Sequence, residues 1–492
     1  MTAIPGLAHA GCPEVLAALA HGPHRIVDAT CVDSADLTTA NAATTPADNA
    51  LAGLPVGAFT PSTDRNVISP SAGHRTPITR AVAGVQVSGR FADDPTGEAR
   101  FLLRFPVPSQ WNGRLVVAGA SGTRSEHNGD FAWSDYVIQK GYAYVSQNKG
   151  VLNLQITSLA SPTQPASDPL SCRLNPSSQV WVHFFDNDPA KPFTQWTDYM
   201  IEAAKIGQRA AERNYQRAPL HTYAVGTSNG GYQVRRAIEK APELFDGGVD
   251  WEGTFVDPDG PNLLIDLPPA IANFAAYAAS GFDPNSLAAK NILAAGYPPD
   301  IVSGTASLWG LYAAQFWEVT QCQWQKRFDP TWQTYAGGVG DTDGTGGYDY
   351  AGRAAQDPQI ASALGAIATT GKIKRPLITV AGTMDGLLPI QRGARAYEAA
   401  VLRHHRNAES VHDARKAPYR LYEVQNGNHI ETFKDTFPQL ELIQPHAQRA
   451  FDLLVDHVEH SAHLPPSQCI PRGGAIADGP SQPGHCAQLF AP

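Results

Sequence analysis

The sequence lacks a long hydrophobic run: none of its 492 residues lies in a stretch approaching the roughly 18 apolar residues that a membrane helix needs. Residues 1–22 lack a basic start and hold only a short apolar run, so no signal peptide is recognisable. Blocks of like charge are also missing. The net charge of -9 comes from interspersed acids, which argues against nucleic acid or an anionic membrane as a partner. We therefore expect a soluble globular protein.

Cysteine is scarce, and no two cysteines form the Cys-x-x-Cys pair typical of zinc or redox sites. There are six cysteines, an even number, which favours disulfides over the alternative of six unpaired buried thiols. The expected pairs are Cys12–Cys31 and Cys469–Cys486, each closing a segment near one end of the chain, and Cys172–Cys322, tying an insertion to the core. Such pairs require an oxidising compartment, so we expect a secreted or periplasmic protein.

Strand-like and helix-like segments alternate from about residue 85 onwards. Apolar or β-branched runs predict strands, and amphipathic runs between them predict helices. The predicted buried strands are 115–118, 141–146, 222–225, 376–381 and 419–424, and the predicted helices include 131–140, 195–215 and 233–240. The proline-rich stretch 151–193 is predicted to be loop. This alternation predicts the α/β class, with a mostly parallel sheet that helices cover on both faces.

A long insertion interrupts the alternation. More residues separate strands 222–225 and 376–381 than one or two strand–helix units require, so we expect residues 260–370 to form a cap. The core would then comprise 85–259 and 371–462. Residues 1–84 are expected to be an irregular segment wrapping the core, and residues 463–492 a tail closed by a disulfide.

The predicted cap is rich in aromatic residues. Residues 261–350 hold 14 of them, about 16% against 9% for the whole chain. Some would build a core for the cap itself, and others would line a hydrophobic pocket. Candidates for the pocket are Trp309, Phe316 and Trp317; the alternative for each is a place in the cap's core.

Ser228 lies in the segment Gly226-Thr-Ser-Asn-Gly230, between a predicted strand and a predicted helix. A sharp strand–turn–helix of this kind lifts the serine side chain out of the sheet, and glycines are needed around it because neighbouring backbone crowds any β-carbon. This pattern predicts a nucleophilic serine. The alternative is a tight turn without chemistry.

An acid and a histidine follow in the order that an α/β-hydrolase requires. Asp385 comes directly after the predicted strand 376–381, and His429 lies in the loop after strand 419–424. Taken alone, Asp385 would be interpreted as a helix-capping acid, and His429 as one of the chain's 16 surface or core histidines. The shared order and context of both residues with Ser228 predict an α/β-hydrolase fold and a catalytic triad.

The triad predicts ester hydrolysis through an acyl-enzyme. Ser228 would attack the ester carbonyl, His429 would take and return the proton, and Asp385 would hold the imidazole tautomer. We expect the oxyanion to be bound by the backbone N–H of Asn229 and by that of Ala120 or Ser121, in the small-residue loop 119–122.

No cofactor or metal is expected for this chemistry, and the expected partner is a small-molecule ester or oligoester. The segment Asp341–Asp349 has the acid spacing of a calcium loop, but it lacks the bidentate glutamate at its end. A glycine-rich turn is the favoured interpretation of that segment.

Four motifs resemble the bacterial D-3-hydroxybutyrate oligomer hydrolases. They are Gly226-Thr-Ser-Asn-Gly-Gly231, Tyr422-Glu-Val-Gln-Asn-Gly-Asn-His429, Lys140-Gly-Tyr-Ala-Tyr-Val-Ser-Gln-Asn-Lys-Gly150, and Leu464-Pro-Pro-Ser-Gln468 with Pro471-Arg-Gly-Gly474. The resemblance implies a serine esterase of polyester breakdown, with the nucleophile at Ser228 and its partners at Asp385 and His429. Members of that family are usually longer and have a larger cap.

A more distant resemblance, through Trp111-Asn-Gly-Arg114 and the strand after Gly141, is to tannases and feruloyl esterases. Those enzymes place a cysteine before the serine and another after the histidine, where this chain has Thr227 and Ile430. The expected activity is hydrolysis of short 3-hydroxybutyrate-type esters, and the alternative is hydrolysis of aromatic esters. A binding or scaffold protein with a silent site would require a missing triad residue.

Overall fold

The structure is a computed structural model. It describes residues 11–20, 26–44, 69–94, 97–122, 125–158, 170–185, 193–332, 345–407 and 419–492. The strands are β1 (Ile26–Ser34), β2 (Gly84–Phe91), β3 (Arg100–Pro106), β4 (Arg114–Gly119), β5 (Ala143–Gln147), β6 (Leu152–Ser158), β7 (Cys172–Arg173), β8 (Trp181–Phe185), β9 (His221–Thr227), β10 (Gly247–Trp251), β11 (Val302–Ser303), β12 (Ala306–Ser307), β13 (Leu377–Gly382), β14 (Tyr419–Val424) and β15 (Gln468–Ile470).

The α-helices are α1 (Cys12–Ala20), α2 (Asp135–Ile138), α3 (Thr194–Tyr215), α4 (Asn229–Lys240), α5 (Leu263–Asp266), α6 (Pro268–Ala279), α7 (Leu287–Ala294), α8 (Leu308–Gln315), α9 (Trp317–Phe328), α10 (Tyr350–Gln356), α11 (Pro358–Ile367), α12 (Ala394–Asn407) and α13 (Gln444–His460). A π-helical turn, Asp130–Ser134, leads into α2, and 3-10 turns occupy Ala72–His74 and Glu431–Asp435.

A ten-stranded sheet forms the centre, in the order β1-β2-β3-β5-β4-β9-β10-β13-β14-β15. The first three strands pair antiparallel, and β3 pairs antiparallel with β5. From β5 to β15 every neighbouring pair is parallel. The predicted α/β class is confirmed, and β9, the strand that precedes Ser228, lies near the middle of the parallel part.

Helices cover both faces of the sheet, as the alternating pattern predicts. On one face, Val117 of β4 packs in a core with residues of α3 and α4. On the other face, the adjacent Val116 packs with residues of α2 and α13. Successive strand residues point to opposite faces, so a continuous apolar run such as Leu115–Ala118 marks a strand that is buried on both sides.

The chain between β10 and β13 contains α5 to α11 and the small hairpin β11–β12. Buried apolar residues of this segment, among them Trp309, Trp317 and Trp324, belong to one hydrophobic core. The same core reaches Tyr232 of α4 and Ile430 in the loop after β14. The inserted helices therefore pack directly on the edge of the sheet where the parallel strands end.

The stretch 151–193 differs from the prediction of a loop. It contains β6, β7 and β8, which form an antiparallel sheet in the order β6-β8-β7. The prolines at 162, 165 and 169 fall between β6 and β7 in the sequence, so they do not interrupt the strands. Short strands separated by prolines have too few alternating positions to be distinguished from loop by periodicity.

Residues 1–84 also contain regular structure where an irregular segment is expected. The helix α1 packs on α3, and β1 pairs antiparallel with β2 at the edge of the sheet. The strand β1 has acids at Asp28 and Asp33 and carries half-buried and exposed side chains. A polar edge strand of this kind gives a weak periodic signal, which explains why the pattern misses it.

All three expected disulfides are present: Cys12–Cys31, Cys172–Cys322 and Cys469–Cys486. The second joins β7 to α9 and thereby ties the small antiparallel sheet to the inserted helices. Within the described ranges, no helix combines the length and apolar character needed to cross a membrane.

Candidate active site

Ser228 stands at a strained turn between β9 and α4. Its backbone has φ +57° and ψ −123°, a conformation that costs a non-glycine residue on the order of 1–3 kcal/mol. Its N–H donates to the Trp251 carbonyl oxygen at 2.9 Å, which ties the turn to β10. A β-carbon on Gly226 would lie only 2.3 Å from the Gly230 carbonyl oxygen, so the turn requires glycine there.

Asp385 and His429 are hydrogen-bonded to each other. His429 Nδ1 lies 2.8 Å from Asp385 Oδ2, and because a carboxylate only accepts, Nδ1 is the donor. The other oxygen, Oδ1, accepts from the backbone N–H groups of Leu387 and Leu388, each at 2.7 Å. Both Asp385 and His429 are buried. The carboxylate is thus fixed on both sides and holds the imidazole by one nitrogen.

The parallel register brings the three predicted residues to one edge of the sheet. Trp251 at the end of β10 pairs with Thr227, the residue before Ser228. Gly382 at the end of β13 pairs with Val424 at the end of β14, and the loops that follow carry Asp385 and His429. Since parallel strands end at the same edge, Ser228, Asp385 and His429 all follow the carboxyl ends of strands in one parallel set, β9, β13 and β14.

The two candidate oxyanion donors of the loop 119–122 are already engaged. The Ala120 N–H donates to Gln233 Oε1 at 2.9 Å, and the Ser121 N–H donates to Asn128 Oδ1 at 3.0 Å. Asn229 is the first residue of α4, so its N–H has no partner within the helix. The loop amides would have to exchange these side-chain acceptors for an oxyanion.

Lys149 holds the same loop from the other side. Its Nζ donates to the backbone carbonyl oxygens of Ala120 at 3.1 Å, of Gly122 at 2.5 Å and of Ser121 between them. The side chain is fully buried. The contacts of Lys149 with this loop are not predicted from the sequence, although the residue lies in the motif that resembles the oligomer hydrolases.

Aromatic residues of the insertion pack against the loop that carries Asp385. Trp317 Nε1 donates to the Gly386 carbonyl oxygen at 2.7 Å, and the Tyr312 ring lies where a Gly386 β-carbon would be. Tyr312 Oη donates to Asn428 Oδ1 at 2.7 Å, beside His429. The rings of Tyr312 and Phe433 are 5.4 Å apart, edge to face. These contacts connect the inserted helices to both partner loops.

The three aromatic candidates occupy different places. Trp317 touches the Asp385 loop, as described above. Phe316 packs partly buried against the rings of Tyr312 and Phe433. Trp309 instead faces the interior of the insertion, where its Nε1 donates to the Pro298 carbonyl oxygen at 3.1 Å. Tyr312 and Phe433 were not singled out from the sequence, because composition alone does not separate them from the other aromatics.

Glu252 is a second carboxylate beside the histidine. Its Oε1 lies 3.5 Å from His429 Nδ1, and burial together with the charge of Asp385 raises the pKa of Glu252 well above its ordinary value. Within the described residues, Glu252, Asp385 and His429 are the group whose side-chain atoms lie close enough to share a metal ion. Asp385 already uses both oxygens in hydrogen bonds, so the arrangement suits proton transfer better than metal binding.

Residues 341–344, the first four of the nine in the suspected calcium segment, lie outside the described residues. Its last residue, Asp349, caps α10 by accepting from the Gly352 N–H at 3.1 Å. Asp349 therefore has a structural role, and the interpretation of the rest of the segment stays a prediction.

Comparison with known proteins gives the same family as the motifs. A model of the 3HB-oligomer hydrolase family matches residues 345–489, which include Asp385 and His429 but not Ser228. The chain resembles 3HB-oligomer hydrolases. It is 31% identical over 115 residues to D-(-)-3-hydroxybutyrate oligomer hydrolase of Burkholderia thailandensis, and 32% identical over 114 residues to that of Burkholderia mallei. Each match covers 22% of this chain and only 15% of the relative's length.

Among solved structures, the chain is similar to tannin acyl hydrolase from Aspergillus niger, with a TM-score of 0.49, 12% identity, and coverage of 96% of this chain and 90% of that one. It is also similar to feruloyl esterase B from Aspergillus oryzae, with a TM-score of 0.48, 14% identity, and coverage of 93% and 90%.

Proposed function

We propose that this protein is a serine carboxylic ester hydrolase that cleaves short 3-hydroxybutyrate-type esters or oligoesters through an acyl-enzyme. The observation that carries the proposal is the 2.8 Å contact between His429 Nδ1 and Asp385 Oδ2 at the sheet edge where Ser228 stands on a strained turn. A histidine that a carboxylate orients, at the same sheet edge as a lifted serine, fits the arrangement that activates a hydroxyl as a nucleophile.

In the first half-reaction, Ser228 Oγ attacks the ester carbonyl carbon while His429 Nε2 takes the hydroxyl proton. Asp385 keeps the Nδ1–H tautomer and stabilises the imidazolium that forms. The tetrahedral intermediate then collapses, the ester C–O bond breaks, and Nε2 returns its proton to the leaving alkoxide. The products of this step are a free alcohol and an acyl group on Ser228.

Water completes the cycle. His429 Nε2 takes a proton from the water, the hydroxide attacks the acyl carbon, and the proton returns to Ser228 Oγ as the carboxylic acid leaves. The oxyanion of both intermediates would be held by the N–H of Asn229 and by that of Ala120 or Ser121. Each loop amide becomes available when its present acceptor, Gln233 or Asn128, gives way to the substrate oxygen.

The substrate class is proposed from the relatives. The two Burkholderia relatives described above are named as hydrolases of D-(-)-3-hydroxybutyrate oligomers. A hydroxybutyrate unit is small and apolar apart from its ester and hydroxyl groups. The aromatic rings of Tyr312, Phe316 and Phe433 beside the Asp385 and His429 loops would give such a unit an apolar surface.

The same aromatic surface supports an alternative, hydrolysis of aromatic esters of the feruloyl or tannin type. An edge-to-face cluster of rings is a good partner for a further aromatic ring. The two candidates share one mechanism and differ in the acyl group that the cluster accepts.

We further propose that the segment 260–370 acts as the cap of this site and that the protein works outside the cytoplasm. The cap is supported by the contacts of Trp317 and Tyr312 with the Asp385 and His429 loops. An oxidising compartment, secreted or periplasmic, is supported by the three disulfides.

The test is to compare rates on a 3-hydroxybutyrate dimer and on methyl ferulate, for the unchanged protein and for Ser228→Ala. We expect faster turnover of the dimer and a loss of at least 10³-fold in kcat for the variant. Ser71→Ala, which removes an exposed hydroxyl that donates to Asp435, is the control and should keep the activity. Equal rates for Ser228→Ala and the unchanged protein would refute the function; faster turnover of methyl ferulate would favour the alternative substrate.

A further inference from the structure

Glu252 occupies a strained position at the end of β10. Its φ is +44°, in the left-handed region that a glutamate seldom adopts. The Glu252 N–H donates to the Val380 carbonyl oxygen at 2.8 Å, which pins the backbone to β13. Strained residues of this kind cluster at functional sites, where the surrounding structure enforces them. Its backbone conformation places the Glu252 side chain next to His429.

The Glu252 side chain points toward His429, and its oxygens can accept a further hydrogen bond. Oε1 accepts from Trp251 Nε1 at 3.0 Å and lies 3.5 Å from His429 Nδ1. Oε2 is buried and accepts no hydrogen bond that the described residues provide. The whole residue is 3% exposed. His429 Nδ1 therefore has two carboxyl groups within reach, one at 2.8 Å and one at 3.5 Å.

Asp385 has more hydrogen-bond donors against it than Glu252 has. It accepts from two backbone N–H groups in addition to His429 Nδ1. Burial raises the pKa of Glu252, and the charges of Asp385 and Glu431 raise it further. The titratable groups around Glu252 are thus Asp385 after β13, His429 and Glu431 after β14, and Tyr312 of α8. Burial and these neighbouring charges therefore disfavour the charged form of Glu252.

We propose that Glu252 is a second acid for His429, a positioning residue whose Oε1 takes the hydrogen bond from Nδ1 when the Asp385 carboxylate is absent. This inference rests on the proposed function for its kinetic consequence. Removing Asp385 takes away the nearest negative charge, so Glu252 ionises more easily and can pair with the imidazolium. Activity without Asp385 should then depend on the ionisation of Glu252.

The choice of substitution at Asp385 decides whether Glu252 can act. In Asp385→Asn, the amide oxygen is needed by the N–H groups of Leu387 and Leu388, so the NH₂ group faces Nδ1 and favours the wrong tautomer. In Asp385→Ser, the hydroxyl can accept in the turn as serine commonly does, and no side-chain group remains against Nδ1. Asp385→Ser is therefore the informative variant, and Asp385→Asn should be less active.

The experiment compares Asp385→Ser with the double variant Asp385→Ser/Glu252→Gln by two measurements. The first is kcat on the 3-hydroxybutyrate dimer as a function of pH. We expect Asp385→Ser to keep a residual kcat that rises with pH and then levels off, and the double variant to be at least tenfold slower at the plateau. The second is the Nδ1–H proton resonance of His429, which we expect in Asp385→Ser and not in the double variant.

Asp385→Ser/Glu431→Gln is the matched control, because it also removes a buried carboxyl group close to Glu252. It should keep the residual kcat, because Glu431 accepts from the N–H groups of Ile443 and Gln444 rather than from His429. If Asp385→Ser does not fold, as judged by thermal unfolding, Asp385→Ala takes its place in the same pair.

Equal kcat and equal proton resonances in Asp385→Ser and its Glu252→Gln partner, at every pH, would overturn the inference. The proposed function fails separately, if the unchanged protein has no ester hydrolysis that Ser228→Ala removes. In that case the proton resonance alone decides whether Glu252 holds His429.

Discussion

The ammonium group of Lys149 lies 2.5 Å from the backbone carbonyl oxygen of Gly122, in the loop 119–122 that packs beside the Ser228 turn. The same group also donates to the carbonyl oxygens of Ala120 and Ser121. Three successive carbonyls held by one buried cation fix the path of this loop. If the loop amides bind the substrate oxygen as proposed, Lys149 fixes their position.

We predict that Lys149→Met lowers kcat at least tenfold while KM changes by less than about threefold. Methionine fills similar space but cannot donate, so the loop amides lose their fixed orientation, and aligned oxyanion donors act mainly in the transition state. Steady-state kinetics on the proposed ester substrates test this. The control is Lys140→Met, because Lys140 belongs to the same motif but pairs with Asp452 at the surface. An unchanged kcat in Lys149→Met would contradict the role.

Trp317→Phe should reduce kcat/KM about tenfold, the effect of losing roughly 1.4 kcal/mol of transition-state stabilisation. The substitution removes the hydrogen bond from Nε1 to Gly386, the residue after Asp385. Trp111→Phe is the control, because Trp111 Nε1 also donates to a backbone carbonyl, that of Arg114. Arg114 begins β4, so this hydrogen bond lies at the edge of the sheet opposite to the Asp385 loop. Each variant should lose about 1 kcal/mol in unfolding free energy, and only Trp317→Phe should lose activity. Equal activity losses would show that the contact with Gly386 has no special effect.

Glu431 should make the folded protein less stable as pH rises. Burial raises its pKa to about 8, despite the N–H groups of Ile443 and Gln444 that it accepts. Between its ordinary pKa and about 8, the unfolded chain has released a proton that the folded chain still holds. The free energy of unfolding therefore falls with pH in this window, by up to about 1.4 kcal/mol per pH unit from this group.

Glu431→Gln removes that contribution, because the amide oxygen can still accept from the N-terminus of α13 but does not titrate. Urea unfolding of both proteins at several pH values from 5 to 8 gives the measurement. The stability difference between the two proteins should move in favour of the variant as pH rises. Parallel stability curves would contradict the raised pKa.

Removing the Cys172–Cys322 disulfide should destabilise the protein more than removing Cys12–Cys31. The first bond spans a sequence separation of 150 residues and the second one of 19. The chain-entropy model gives about 5 and about 3 kcal/mol for loops of these lengths. Guanidinium unfolding of the two double-alanine variants checks the order. A larger loss for the Cys12–Cys31 pair would show that strain or residual structure outweighs loop length here.

Much of the core fold follows from the sequence, because the parallel strands are continuous apolar runs bounded by turn residues. The strands around Val116, Val225 and Val380 are buried on both faces, and this doubled burial makes their signal strong. The antiparallel sheet β6–β8 and the edge strand β1 were missed. Short or polar strands depend on partners distant in sequence, which periodicity does not report.

The residues of the candidate site likewise differ in whether they can be predicted from the sequence. Ser228, Asp385 and His429 can be predicted because each follows a strand within a recognisable turn. Glu252 and Lys149 cannot, since their importance lies in contacts between segments far apart in the chain, such as the 3.5 Å from Glu252 Oε1 to His429 Nδ1. The engagement of the Ala120 N–H by Gln233 likewise depends on the approach of α4 to the end of β4.

The most direct test of the central claim is mass spectrometry of the protein after reaction with a fluorophosphonate probe. An activated serine attacks the phosphorus and keeps the label, so the labelled peptide identifies the nucleophile. We predict a single label on Ser228, absent from Ser228→Ala and strongly slowed in His429→Ala. Failure to label Ser228 in folded protein, or labelling that persists at the same rate in His429→Ala, would contradict the account.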